Sequence, residues 1–342
     1  MNQTWQDFLA QQGAHIEADI VQHFGDAGNE LLAARDGTVV CDLSQLGVLK
    51  VSGEDAKNFL HNLLSNDINS ATPAHAQYSS FNSAKGRMLA IFLIWQQGSD
   101  YFLQLPGNLT GAILKKLSMY VLRSKVKISD VSDELVCLGL AGKDADTLAQ
   151  ETFGAVPEAT LGMAHATNAS VLRLDTNRMM IVTTAVQAMA LWSSLKCGST
   201  QAGSACWDWL NIRSGIPFIL PATQEQFVAQ MANLDLIGGV SFKKGCYPGQ
   251  EIVARTQYLG KLKRRMYLAH VSGAAKAGDE LYSAEMEGQS CGMVANASPA
   301  PDGGNDLLAV VQISSHKAHS VHMGSLQGEP LQFQPLPYAI PD

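Results

Sequence analysis

Two stretches of this chain repeat one another, and no other feature limits its possible folds as much. Residues 46–64 read LGVLKVSGEDAKNFLHNLL and residues 135–153 read LVCLGLAGKDADTLAQETF. Each predicts a short apolar strand, a Gly-x-Asp-Ala corner and a helix. In the first helix Ala56, Phe59, Leu60, Leu63 and Leu64 fall on one face; Ala145, Leu148, Ala149 and Phe153 take the matching positions in the second. The likeness continues downstream of both. After the first come strands over 88–95 and 101–105, a helix over 109–122, and VKISDV. After the second come VLRLD and RMMIVTT, joined by the turn Asp175-Thr176-Asn177, and a helix near 185–195. A further helix opens at 207–214 and is stopped by Gly215 and Pro217. Tandem βαββα units predict an α+β fold with a pair of ferredoxin-like subdomains.

Beyond Lys261 the character changes. RRMYLAHV, DELYS, GQSCGMVAN, DLLAVVQIS, HSVHM and PLQFQPL read as short strands cut by Gly, Pro and Asp turns, the pattern of a small β-barrel or sandwich. The junction between the two characters lies at 241–262, and clefts between domains are common ligand sites.

Composition narrows the function. The longest apolar run, MLAIFLIW, has strand length, far short of a membrane span, and the N-terminus has no basic block before an apolar one. Six scattered cysteines without a CxxC pair predict free thiols in a reducing cytoplasm. A net charge of −7 disfavours a general nucleic-acid binder. Between Ser241 and Tyr267, however, stand seven bases (Lys243, Lys244, Arg255, Lys261, Lys263, Arg264, Arg265) and one acid, Glu251. That local excess points to an anionic partner. A solvated strand edge explains the KLKRR run equally well.

Within this segment, SFKKGCYPGQEIVAR, Cys246 has company that no other cysteine has. Lys243 and Lys244 bring positive charge, and Gly249-Gln250-Glu251 predicts a helix start whose amides point back at the thiol; both favour the thiolate. Tyr247-Pro248-Gly249-Gln250 suits a type II turn that would fix the thiol against the helix. Gln250 and Glu251 add an amide and a carboxylate for a ligand. The competing reading is a tight interdomain turn with a cysteine filling a small space, since a lone cysteine without a defined base is weak support for nucleophilic catalysis. His316, His319 and His322 in HKAHSVH cannot share one metal from a regular strand and read as surface residues. Asp302-Gly303-Gly304-Asn305 reads as a hairpin turn.

NLDLIGGVSFKKGCYPGQEIVAR (233–255) closely resembles the signature of the YgfZ family, whose core is Lys-Gly-Cys-Tyr-x-Gly-Gln-Glu. LQFQPLPY (331–338), NSAKGRM (82–88) and WDWLNIRSGIPFI (207–219) are similar to the family in position and type. The resemblance implies kinship with the glycine-cleavage aminomethyltransferase and its three-domain, ring-like fold around a tetrahydrofolate cavity. It places an α+β folate-binding body over 1–240, made of two interleaved ferredoxin-like subdomains (about 50–130, and 1–49 with 131–240). The signature and the β-barrel then occupy 241–342. The family's functional cysteine falls on Cys246, with Lys244, Gly245, Tyr247, Gly249, Gln250, Glu251 and Arg255 in support. A tryptophan lining the family's folate cavity falls on Trp207.

The departures lie in the folate site and the transfer chemistry. Aminomethyltransferases carry an Asp pair in the segment matching 86–93, where this chain has Leu89-Ala90, so the carboxylate for aminomethyl transfer is missing. Arg213 replaces a pterin-facing glutamate, and a guanidinium accepts no hydrogen bonds. Leu46 replaces a second tryptophan. The resemblance thus implies a cytoplasmic folate-binding accessory protein, taking tetrahydrofolate or a derivative. Its partners would be iron–sulfur enzymes such as tRNA methylthiotransferases, and Cys246 would act as a redox or ligand-transfer thiol. No stable metal is expected, because one motif cysteine cannot hold a cluster. A folate-dependent one-carbon transferase and a non-catalytic scaffold are the alternatives; direct contact with tRNA is left open.

Overall fold

The computed structural model describes residues 1–258, 260 and 262–341. Its chain forms two compact units. The first comprises residues 1–56, 69–77 and 93–207; the second comprises 57–68, 78–92 and 208–342.

The repeat appears as two antiparallel sheets with matching cores. In one, strand order runs Gln77–Asn82, Met88–Gln97, Asp100–Pro106, Leu46–Ser52, Lys127–Asp130. Its last four strands have the ferredoxin-like order. In the other, Ala169–Asp175, Arg178–Thr183 and Val136–Gly142 run in the matching order, with Met163–His165 beyond them at the outer edge. The fourth place is taken by Thr38–Asp42 from the N-terminal region, which pairs antiparallel with Val136–Gly142 and parallel with Thr200–Ala202. Both Gly-x-Asp-Ala corners need their glycine. Gly53 and Gly142 have φ of +114° and +121°, and a Cβ on either would lie 2.1 Å from a backbone carbonyl oxygen, of Lys125 and Gly37 respectively.

The second sheet buries Val136, Leu138, Leu140, Val171, Met179 and Ile181 against Trp5, Leu9, Ala145, Ala149, Ala188 and Trp192 of the surrounding helices. Helix Gly107–Ser118 covers the first sheet at Gly47, where Thr110 Oγ1 stands 2.1 Å from the place a Cβ would take. Leu46, Val48 and Gln104 therefore face the opposite side, away from that helix.

The C-terminal part of the second unit is a six-stranded half-barrel, ordered His322–Met323, Glu280–Tyr282, Ser290–Pro299, Asn305–Gln312, Arg264–Val271, Gln332–Gln334. Gly303 and Gly304, both at positive φ, make its hairpin turn as expected. One strand expectation fails. HKA belongs to helix Ile313–Ala318, and His316 is no surface residue: its ring stacks on Tyr267 with centroids 3.7 Å apart and meets Phe333 edge-on at 4.5 Å. Packing between two aromatic rings outweighs the alternation that suggested a strand.

Candidate functional site

The surroundings of Cys246 are built wholly within the second unit. Tyr247-Pro248-Gly249-Gln250 forms the type II turn: Gly249 has φ +76°, and the Gln250 amide donates to the Tyr247 carbonyl at 3.1 Å. Helix Gln250–Tyr258 starts immediately after it.

Three backbone braces hold this segment. Gly249 presses onto the hairpin turn at 83–87, so that a Cβ there would stand 2.5 Å from Gly86 N and Cα and from the Ser83 carbonyl oxygen. Gly86, at φ +70°, would in turn drive a Cβ to 2.9 Å from Ile252 Cβ. The NSAKGRM and signature stretches thus meet as two glycine backbones. The second brace is the segment that leads in at 238–241. Ser241 N–H donates to Ser65 O at 3.0 Å, Ser65 Oγ to Gly239 O at 2.8 Å, and Asn66 Nδ2 to Gly238 O at 2.7 Å.

Lys244 is the third brace. Only 9% exposed, it donates to the carbonyls of His61 and of Leu64, the latter at 2.5 Å. His61 lies in the last turn of helix Ala56–Leu63 and Leu64 just past its end, where no further turn satisfies their carbonyls. The ammonium also lies 4.9 Å from the centroid of the buried Tyr247 ring. Burial brings Lys244 down to about 8, with Asp67 opposing, and burial pushes Tyr247 up to about 12. From the sequence, Lys244 is expected to serve the thiol; its ammonium is instead committed to a helix end. Cys246 itself is exposed, and among the described residues its thiol has no hydrogen-bond partner. Lys243, Gly245, Glu251 and Arg255 of the same segment are exposed as well, and Gln250 is half-buried.

The basic run divides. Lys261 lies outside the described residues. Arg265 is buried and forks onto Asp235 at 2.7 and 3.0 Å, with the Gln230 carbonyl at 2.8 Å. Its burial and ion pair correct the solvated-edge reading for Arg265; Arg264, half-buried, pairs with Gln312 where the strand has Asn305–Gln312 as its neighbour.

In the first unit Trp207 is 2% exposed, packed on strand Val136–Gly142 where a Cβ on Gly139 would stand 2.4 Å from its ring. The Arg178 guanidinium lies 5.4 Å over that ring. Cys137 shares a face with Gly139, and its thiol meets the Gln104 side chain; burial first, then Asp42, pushes it up to about 12. Gln104 is in register with Val48, two residues from Leu46, on the helix-free side. The structure therefore brings Leu46 and Trp207 to one region of one unit. Sequence reading missed two groups there. Trp95 Nε1 is buried without a hydrogen-bond partner, Gln104 Nε2 has only the weakly accepting Cys137 sulfur beside it, and the pairing of Leu93 with Gln104 puts Trp95 on the same sheet face. The available signal was a glutamine inside the apolar strand DYFLQLP. Arg213 belongs to the second unit and bonds Gln334 there, with Asp306 at 3.6 Å.

Residues 6–174 match the GCVT N-terminal domain. The tRNA-modifying protein YgfZ of Colwellia psychrerythraea is 32% identical over 236 residues, covering 69% of this chain and 72% of that protein. The protein of the same name from Klebsiella pneumoniae is 29% identical over 316 residues, covering 91% and 96%. The chain belongs to the YgfZ family. The crystal structure of the glycine cleavage system aminomethyltransferase T from Bartonella henselae matches with a TM-score of 0.81 at 17% identity, covering 98% of this chain and 97% of that one. The family member thus has the aminomethyltransferase fold. Leu89 and Ala90, which the resemblance sets against the Asp pair of aminomethyltransferases, are buried apolar residues. No described helix is long and apolar enough to cross a membrane.

Proposed function

We propose that this chain is a cytoplasmic folate-binding accessory protein that supports tRNA modification by serving iron–sulfur enzymes, with Cys246 as its working thiol. The observation that carries the reading is the contrast at Cys246: a solvent-facing thiol on a segment whose backbone is braced at three points. A loop that only filled space would bury its cysteine. One that only linked domains would need neither the Gly249–Gly86 contact nor a buried lysine.

The folate part rests on the first unit. Trp95 Nε1 is an unpaired buried donor and Gln104 Nε2 faces only the weakly accepting Cys137 sulfur, both on the sheet face that also carries Leu46, and burying a donor unpaired costs about 1–3 kcal/mol. A ligand with ring-nitrogen and carbonyl acceptors, as a pterin has, would satisfy both. Tetrahydrofolate, when bound, supplies a carrier for one-carbon groups. Gln104 and Trp95 would orient it, while Trp207 supports the floor of the site from beneath. Leu89 and Ala90 supply no carboxylate to promote aminomethyl transfer, which disfavours the transferase alternative.

The test is a deletion strain assayed for methylthiolated tRNA and complemented with wild type and Cys246→Ser. Restoration by wild type alone supports the reading. Equal restoration by both would favour a scaffold, and restoration by neither would sink the role in tRNA modification.

A further inference from the structure

Helix Gly107–Ser118 leads through a surface turn, residues 119–124, toward strand Lys127–Asp130. In this turn Met119, Tyr120 and Leu122 are 61%, 45% and 88% exposed. Three of the eight large apolar side chains exposed among the described residues thus fall within four positions. Leu122 also has φ +45°, a left-handed conformation that costs a side chain roughly 1 kcal/mol and is here offset by no burial.

The charge around the turn is one-sided. From Tyr101 to Ser129 the chain has five bases and no acid. Lys125 is engaged by Glu54 at 2.6 Å. Lys115, Lys116, Arg123 and Lys127 have no carboxylate partner among the described residues. The helix C-terminus accounts for Lys115 and Lys116, which complement its dipole. It accounts neither for Arg123 and Lys127 nor for the exposed apolar side chains between the two pairs.

We infer that this turn is an RNA-contacting surface, where the four unpaired cations meet backbone phosphates and Tyr120 stacks on an unpaired base. Cations flanking an aromatic form the arrangement by which single-stranded and looped RNA is held: charge follows the backbone, and a ring takes a base. Met119 and Leu122 wall the stacked base. A lipid surface fits less well, because the helix buries Leu109, Ile113 and Leu117 within its own unit and leaves only the turn to insert. The choice of RNA among phosphate-bearing partners rests on the tRNA-modification reading. The net −7 of the chain keeps the contact local, which suits a selective docking face.

The experiment measures binding of unfractionated tRNA to the full chain from ~50 to 300 mM salt, with phosphatidylglycerol vesicles in parallel. Four phosphate contacts predict a log–log salt slope of about −3, hence roughly 60-fold weaker binding at 200 than at 50 mM. Combined Lys115→Glu, Lys116→Glu, Arg123→Glu and Lys127→Glu should abolish binding, while Tyr120→Ala should weaken it about tenfold at an unchanged slope. Lys115, Tyr120, Arg123 and Lys127 are exposed and Lys116 is half-buried, so the fourfold variant should stay folded and lose only the dipole contribution of Lys115 and Lys116, while Tyr120→Ala should hardly move thermal unfolding. Absent tRNA binding, wild-type affinity in the fourfold variant, or binding to vesicles in place of tRNA would each overturn the inference. The tRNA-modification reading fails separately, if wild type does not restore methylthiolation in the deletion strain.

Discussion

Cys246 and Cys137 are the same chemical group in opposite settings. Cys137 lies inside the first unit, where burial and the Asp42 carboxylate push its thiol up to about 12. Side chains hold that region, where Gln104 meets only the Cys137 sulfur and the Trp95 indole nitrogen stays unsatisfied. Around Cys246 the arrangement is reversed. The thiol faces solvent, and the stabilising contacts end on the backbone around it: two glycines in contact, a lead-in segment hydrogen-bonded to 65–66, and a lysine side chain closing a helix end. Rigidity at an exposed position does not require burying the side chain it carries. On the proposed reading, one region would receive a ligand and the other would present a thiol.

The largest expected effect comes from breaking the glycine contact. Gly249→Ala forces a Cβ into Gly86 at positive φ and should cost about 3 kcal/mol, read by chemical denaturation. Gly245→Ala is the matched control. Its Cβ would meet only His61 Nε2, at 3.8 Å, so stability should change by less than about 1 kcal/mol. If the two variants lose equal stability, the brace lies elsewhere.

Lys244→Met should cost less, about 2 kcal/mol at neutral pH, because it strands the His61 and Leu64 carbonyls. Its pH dependence sharpens the comparison. The folded state holds the Lys244 proton less tightly than the ordinary value of 10.5, down to about 8. The unfolded chain therefore binds more protons between those values, and the Lys244 contribution to stability rises as pH climbs from about 8 toward 10.5. The neutral amine keeps enough N–H groups for both carbonyls. Denaturation across this window should show wild type gaining on Lys244→Met; parallel curves would mean the ammonium is not desolvated.

Much of the local structure is legible in the residues. Gly53 and Gly142 announce both βα corners, Pro248-Gly249 announces the turn, and apolar spacing announces helix Ala185–Leu195 and strand Arg264–Val271. What is not legible depends on partners distant in sequence. Nothing near Thr38–Asp42 says that it will occupy the fourth place of a sheet otherwise built from 136–202. Nothing near Lys244 says that its ammonium will seek carbonyls 180 positions earlier. The under-satisfied Gln104 and Trp95 donors become visible only once pairing aligns their strands.

On the ligand side, Gln104→Leu should weaken tetrahydrofolate binding by about tenfold, since the buried amide loses its role as donor. Trp207→Ala should weaken it by a similar or smaller factor, through the supporting sheet rather than through direct stacking. Fluorescence titration measures both. Wild-type affinity in Gln104→Leu would move the folate site away from the helix-free face of the first sheet.

The most direct test of the account is thiol mapping: brief alkylation of the native protein at neutral pH, followed by peptide mass analysis of all six cysteines. Cys41, Cys137, Cys206 and Cys291 are buried, and Cys197 is exposed but donates to the Ser193 carbonyl at 3.3 Å. The account predicts Cys246 labelled first, Cys197 behind it, and the other four protected until unfolding. Protection of Cys246, or uniform labelling of all six, would contradict it.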